Sequence, residues 1–86
     1  MSELESGTIV IVEWWDSSSP TSIWNGVADA KAYRPVKVIT VGFLAHQDSE
    51  RIVVFQSFHK DEVAGVFAIP RGSVIAMREL AGVEHD

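Results

Sequence analysis

Apolar positions in this chain come in short runs that alternate with polar residues at a period of two, and polar turn residues separate the runs. That is the pattern of half-buried β-strands. Thr8 to Trp15 (TIVIVEWW) is β-branched and aromatic throughout. In it Val10, Val12 and Trp14 form a uniformly apolar face, predicted to point inward. Ile9, Ile11, Glu13 and Trp15 take the other face. Four further strands are predicted in Pro35 to His46, Arg51 to His59, Val63 to Ile69 and Ser73 to Leu80. The breaks between them are Gln47 to Glu50, Lys60 to Glu62 and the tight Pro70-Arg71-Gly72.

Two stretches resist a simple alternation. In the second strand, Val36 and Val38 share one face, and Ile39, Val41, Phe43 and Ala45 the other. Gly42 in its middle marks a bend, a bulge or a close backbone approach. The expectation is that Val36 and Val38 face inward before the bend, with Ile39, Val41 and Phe43 shared by the core after it. In the third strand both faces are apolar until Gln56. One face is therefore expected in the core, and the other partly covered by the Trp24 region or by another subunit.

Between the first two strands, Asp16 to Pro20 (DSSSP) is a loop, and Asn25-Gly26 is a turn signal. Val27 to Tyr33 has the alanines of a short helix, with Trp24, Val27, Ala28 and Lys31 near one face. A helix this short needs packing to hold it. One arrangement has Trp24 and Tyr33 covering a mouth of the sheet, and an irregular loop is the alternative. The expected fold is all-β. It is a small five-stranded barrel, closed or nearly so, with this helical or irregular insertion after its first strand.

The chain's 86 residues make one domain, 1–86, with flexible ends expected at 1–7 and 81–86. Apolar residues at 47% support a folded globule. No cysteine is present, so disulfides and thiolate chemistry are excluded. The opening MSELESG lacks the basic and apolar segments of a signal peptide, and no apolar run reaches a membrane span of about 18 residues. A cytoplasmic location is the expectation. The net charge of −5 opposes broad binding to a phosphate backbone. Seven acids and three bases fall in the first fifty residues, against five and four in the remainder, so a local basic surface would lie in the second part.

Candidate chemistry is sparse. His46, His59 and His85 are too dispersed for a predicted zinc site, and no metal or cofactor is expected. Ser17, Ser18 and Ser19 lack a nucleophile elbow, and no phosphate cradle or dinucleotide fingerprint occurs. Loop carboxylates on so small a chain offer no deep cleft for paired acid–base work. An enzyme is therefore not expected.

The aromatics stand out more. Trp14, Trp15 and Trp24 are joined by Tyr33, Phe43, Phe55, Phe58 and Phe67. Adjacent Trp14 and Trp15 must point to opposite faces, which leaves one outside the main core. Acidic Glu13 and Asp16 flank them, which favours protein contact over base stacking. Trp15, Trp24 and Phe55 are the candidate protein-binding residues. Arg71, Arg51 and Lys60 are the candidates for an anion or nucleic acid, Arg71 because a tight turn presents it.

The order of a glycine-bent strand, two hairpins, a short turn and a closing strand is similar to SH3-like small barrels. Lys37 to Leu80 also resembles the Sm-like fold, with Ile69-Pro70-Arg71-Gly72-Ser73-Val74-Ile75 at that family's last loop. In Sm-like proteins this turn contributes to an RNA site on a ring, so the resemblance implies an RNA, DNA or nucleotide-binding alternative. The chain departs from that family in its N-terminal strand, its acidic surface and its lack of the aspartate–asparagine loop signature. Ile9 to Pro20, Pro35 to Val54 and Gly65 to Leu80 resemble small proteins encoded by bacteriophages and prophages. That resemblance implies an accessory binding protein in the host cytoplasm. A host or phage protein would be its partner, homo-oligomers are expected, and no catalytic residues carry over.

Overall fold

The computed structural model describes residues 8–80. The ends expected to be flexible, 1–7 and 81–86, lie outside the described residues, as does His85. Seven strands form in chain order: β1 (Ile9–Asp16), β2 (Val36–Gln47), β3 (Arg51–Phe55), β4 (Ser57–His59), β5 (Glu62–Ala64), β6 (Phe67–Pro70) and β7 (Val74–Leu80). One helix, α1 (Val27–Lys31), lies between β1 and β2, and a 3-10 turn (Arg71–Ser73) joins β6 to β7. Five strands make an antiparallel sheet in the order β6-β3-β2-β1-β7, while β4 and β5 make a separate two-stranded ladder.

The inward face of β1 is as its pattern predicts. Val10, Val12 and Trp14 are buried with Ile52 and Val54 of β3 and Ile69 of β6. Val38, Leu44, Val74 and Met77 pack against them from β2 and β7. All five strands of the larger sheet thus contribute to one core, so the sheet is curled.

It is not closed into a barrel. β6 and β7 are the two edges, and neither pairs with the other. β6 has only four residues and ends at Pro70, which has no N–H to donate. The chain then turns through Arg71–Ser73 before β7 pairs with β1. The curl packs the partly buried Val74 and Met77 against the core that holds Ile69, without a ladder between their strands.

The faces of β2 differ from the expectation. Val12 lies opposite Thr40 and Trp14 opposite Val38, so this register puts Val38, Thr40 and Gly42 on the inner face. Buried Thr40 is satisfied there, because Trp14 Nε1 donates to its Oγ1 at 2.9 Å. Ile39 and Val41 consequently face outward and are exposed. Gly42 is a close approach: a Cβ there would stand 2.9 Å from the Phe55 carbonyl oxygen. The irregularity of β2 lies further on, between Leu44 and His46.

Two of the predicted strands break in two. Gln56 interrupts the third, where its N–H bonds to the Ala64 carbonyl at 3.0 Å and its Nε2 donates to the Val41 carbonyl at 2.7 Å. Gly65 interrupts the fourth with φ 69°, a left-handed conformation that glycine adopts without strain. A Cβ at Gly65 would also come within 2.8 Å of Gln56 Cγ. The β4–β5 hairpin that results brings Phe58 against Phe43 and Phe55. It is this hairpin, rather than the Trp24 region, that packs on the second face of the third strand.

Candidate functional site

Of the candidate residues, Trp24 lies in the connection before β2, and Arg51 and Arg71 meet at the turn after it. Residues 17–35 link β1 to β2 as a long arm, and α1 is its only regular element. No residue of α1 is buried, and its N-cap Gly26 makes no side-chain cap. Asn25 Nδ2 to the Ser22 carbonyl and Ser18 Oγ to the Arg34 carbonyl are local hydrogen bonds that hold its backbone. Its apolar side chains are not drawn under the sheet. Ile23 and Trp24 are each 91% exposed, and Val27 and Tyr33 are also exposed. Trp24 and Tyr33 therefore do not cover a mouth of the sheet.

Trp15 stands at the end of β1, on the outer face, and is 49% exposed. Phe55 is in a different situation, at 1% exposure. Its ring stacks on Phe43 with centroids 5.5 Å apart, and Phe58 meets both rings edge-on, at 5.6 and 6.1 Å. Phe55 is a packing residue of this second small core, which corrects its place among the contact residues.

The short turn between β2 and β3 is organised by Asp48. Its Oδ1 accepts from the backbone N–H groups of Glu50 and Arg51 at 2.8 and 2.9 Å. Its Oδ2 lies 2.9 Å from His46 Nε2 and 3.0 Å from Arg51 Nη1. The His46 hydrogen bond, then the two backbone donors and the Arg51 charge, outweigh partial desolvation and hold the Asp48 carboxyl well below the usual carboxylate range. Arg71 reaches this turn from the 3-10 segment. Its Nε donates to the Asp48 carbonyl at 2.8 Å and its Nη2 to Gln47 Oε1 at 2.9 Å, while its N–H donates to the Glu50 carbonyl at 2.9 Å. Arg71 and Arg51 are thus brought together, with Nε and Nη2 of Arg71 and Nη1 of Arg51 directed at protein acceptors. Lys60 is apart from them, in the β4–β5 turn, at φ 56°.

Among the described residues no group of three His, Cys, Asp or Glu side chains could hold a metal ion, and no helix is long and apolar enough to cross a membrane. Sequence reasoning missed Ile23 and the outward pair Ile39 and Val41. The signal for the pair lay in β2, whose two faces are both largely apolar. It missed Asp48 as well, although an Asp two and three residues before the N–H groups it bonds is an Asx-turn pattern. Comparisons with protein-family models, with curated proteins and with solved structures found no match for the chain.

Proposed function

We propose that this protein is a non-catalytic binding module whose β1–β2 arm presents an apolar contact surface to another protein. The observation that carries this reading is the exposure of Ile23 and Trp24, adjacent on one arm, each at 91%. A tryptophan left in water forgoes a large burial gain, and such side chains are the common anchors of protein interfaces. Val27 and Tyr33 extend the apolar character of the arm, and Trp15 stands at the strand end from which it leaves.

The strand order, with a 3-10 turn between the two edge strands, supports an SH3-like or Sm-like frame as the carrier of the arm. The resemblance to bacteriophage and prophage proteins makes a host or phage protein in the bacterial cytoplasm the partner we propose. A nucleic-acid role would draw on Arg71 and Arg51 for phosphates, and part of each guanidinium already serves the β2–β3 turn.

The test is affinity capture from bacterial lysate with the full chain and with Trp24→Ala, read by quantitative mass spectrometry. The expected result is a protein retained by the wild type and lost with the variant. Equal recovery of every captured protein by the two chains would contradict the reading.

A further inference from the structure

The outer face of the sheet is a second apolar surface, which meets the root of the arm at Trp15. The register of β1 with β2 and β7 lays it out in cross-strand rows. Leu80, Ile9 and Phe43 form one row, Arg78, Ile11 and Val41 the next, and Ala76, Glu13 and Ile39 the third. Ile39 is 60% exposed, Val41 is exposed in the next row of the same strand, and Leu80 is exposed at the far corner of the patch. Ile11, Glu13, Ile39, Ala76 and Arg78 are among the residues lining one shallow groove on this face.

Two charges stand in these rows, Glu13 in the middle of the third and Arg78 at the β7 end of the second. Glu13 is held by Lys37 at 3.1 Å, with Lys37 half-exposed. Arg78 makes no ion pair among the described residues. A surface that binds its own copy about a two-fold axis must be complementary to itself, so any charge on it must meet an opposite charge under the same axis. This face meets that condition. A two-fold axis lying across the strands, between the second and third rows, exchanges those rows. Arg78 of one copy then lies over Ala76 of the other, whose small side chain leaves room for it. Glu13 of that second copy is the direct cross-strand neighbour of its Ala76, within reach of the arginine. The same operation puts Val41 over Ile39, and it makes two Arg78–Glu13 pairs by symmetry.

We infer that this outer face is a self-association surface on which two copies stack sheet to sheet, with Arg78 of each copy paired to Glu13 of its partner over a floor of Ile11, Ile39 and Val41. Three strands at about 4.8 Å and rows about 7 Å apart give a patch smaller than the roughly 800 Å² per partner of a standard interface. The dimer is accordingly a weak one, seen at high protein concentration. Charged residues at its edge make it salt-sensitive.

Sedimentation equilibrium of the full chain, from micromolar to millimolar, tests this. The weight-average mass is expected to rise from 9.5 kDa toward twice that value. Ile39→Asp and Arg78→Glu, both at exposed positions, are expected to abolish the rise while leaving the circular dichroism spectrum and the thermal midpoint unchanged. The charge swap Glu13→Arg with Arg78→Glu is expected to restore it. A mass that stays at the monomer throughout would overturn the proposal. So would association that survives Ile39→Asp, association lost with Trp24→Ala instead, or a charge swap that restores nothing.

Discussion

The two connections that flank β2 solve opposite problems. The β2–β3 turn is short and polar, and its groups satisfy one another. Asp48 serves two backbone N–H groups, His46 and Arg51, and Arg71 ties the turn to the 3-10 segment. The β1–β2 arm is long and apolar at Ile23, Trp24, Val27 and Tyr33, and it leaves all four exposed. Arg51 and Arg71, candidates for ligand contact in the sequence, thus tie the turn together, while Trp24 and Tyr33 are left exposed on the arm. In a chain this small, polar groups placed on a turn can be used up locally, because each needs only a hydrogen-bond partner. Burying a tryptophan takes a surrounding wall of side chains, and the arm has none.

The largest expected effect is at Phe55, which the sequence groups with Trp15 and Trp24 as a contact residue. Phe55→Ala removes a fully buried ring from the Phe43–Phe55–Phe58 cluster and is expected to cost about 3–5 kcal/mol in denaturant unfolding. A loss below about 1 kcal/mol would mean that this cluster is not a core and that Phe55 is free for other work.

An intermediate effect is expected in the polar turn. Arg71→Ala leaves the Asp48 carbonyl without its charged donor and is expected to cost about 1–3 kcal/mol by the same measurement. The turn is also expected to weaken in acid. The Asp48 carboxyl is held below its ordinary value, so its contribution is full above about pH 4 and is lost as pH falls through the folded value. The stability difference between the wild type and Asp48→Asn should therefore shrink below about pH 4. A difference that is flat across that range would show that the carboxylate does not organise the turn.

Much of this was legible in the sequence, and the exceptions have physical causes. Val10, Val12 and Trp14 were readable as an inner face because their alternation admits only one apolar set. Pro70-Arg71-Gly72 was readable as a tight turn or a turn of 3-10 helix for its backbone chemistry, and residues 71–73 form one. The faces of β2 were not readable, because Thr40 is buried through a hydrogen bond from a distant tryptophan while Ile39 and Val41 point out. Alternation alone cannot report a partner twenty-six residues away. The open sheet was missed for a related reason. Strand number and spacing suit a barrel, but closure depends on whether two edge strands meet, and that is set by the path through Arg71–Ser73. Of the tryptophans that composition singles out, Trp15 and Trp24 are exposed and Trp14 is buried. Phe55 was misplaced because the break at Gln56, which folds β4 back over it, is made by tertiary hydrogen bonds.

The central claim is that Trp24 is held out for contact and contributes little to the fold. The most direct measurement is the denaturant-unfolding free energy of Trp24→Ala against the wild type, with Phe55→Ala as the internal reference. The expected result is a change within about 0.5 kcal/mol, as for an exposed side chain outside the core. A loss of about 2 kcal/mol or more would show that the arm packs against the domain, and would contradict the account.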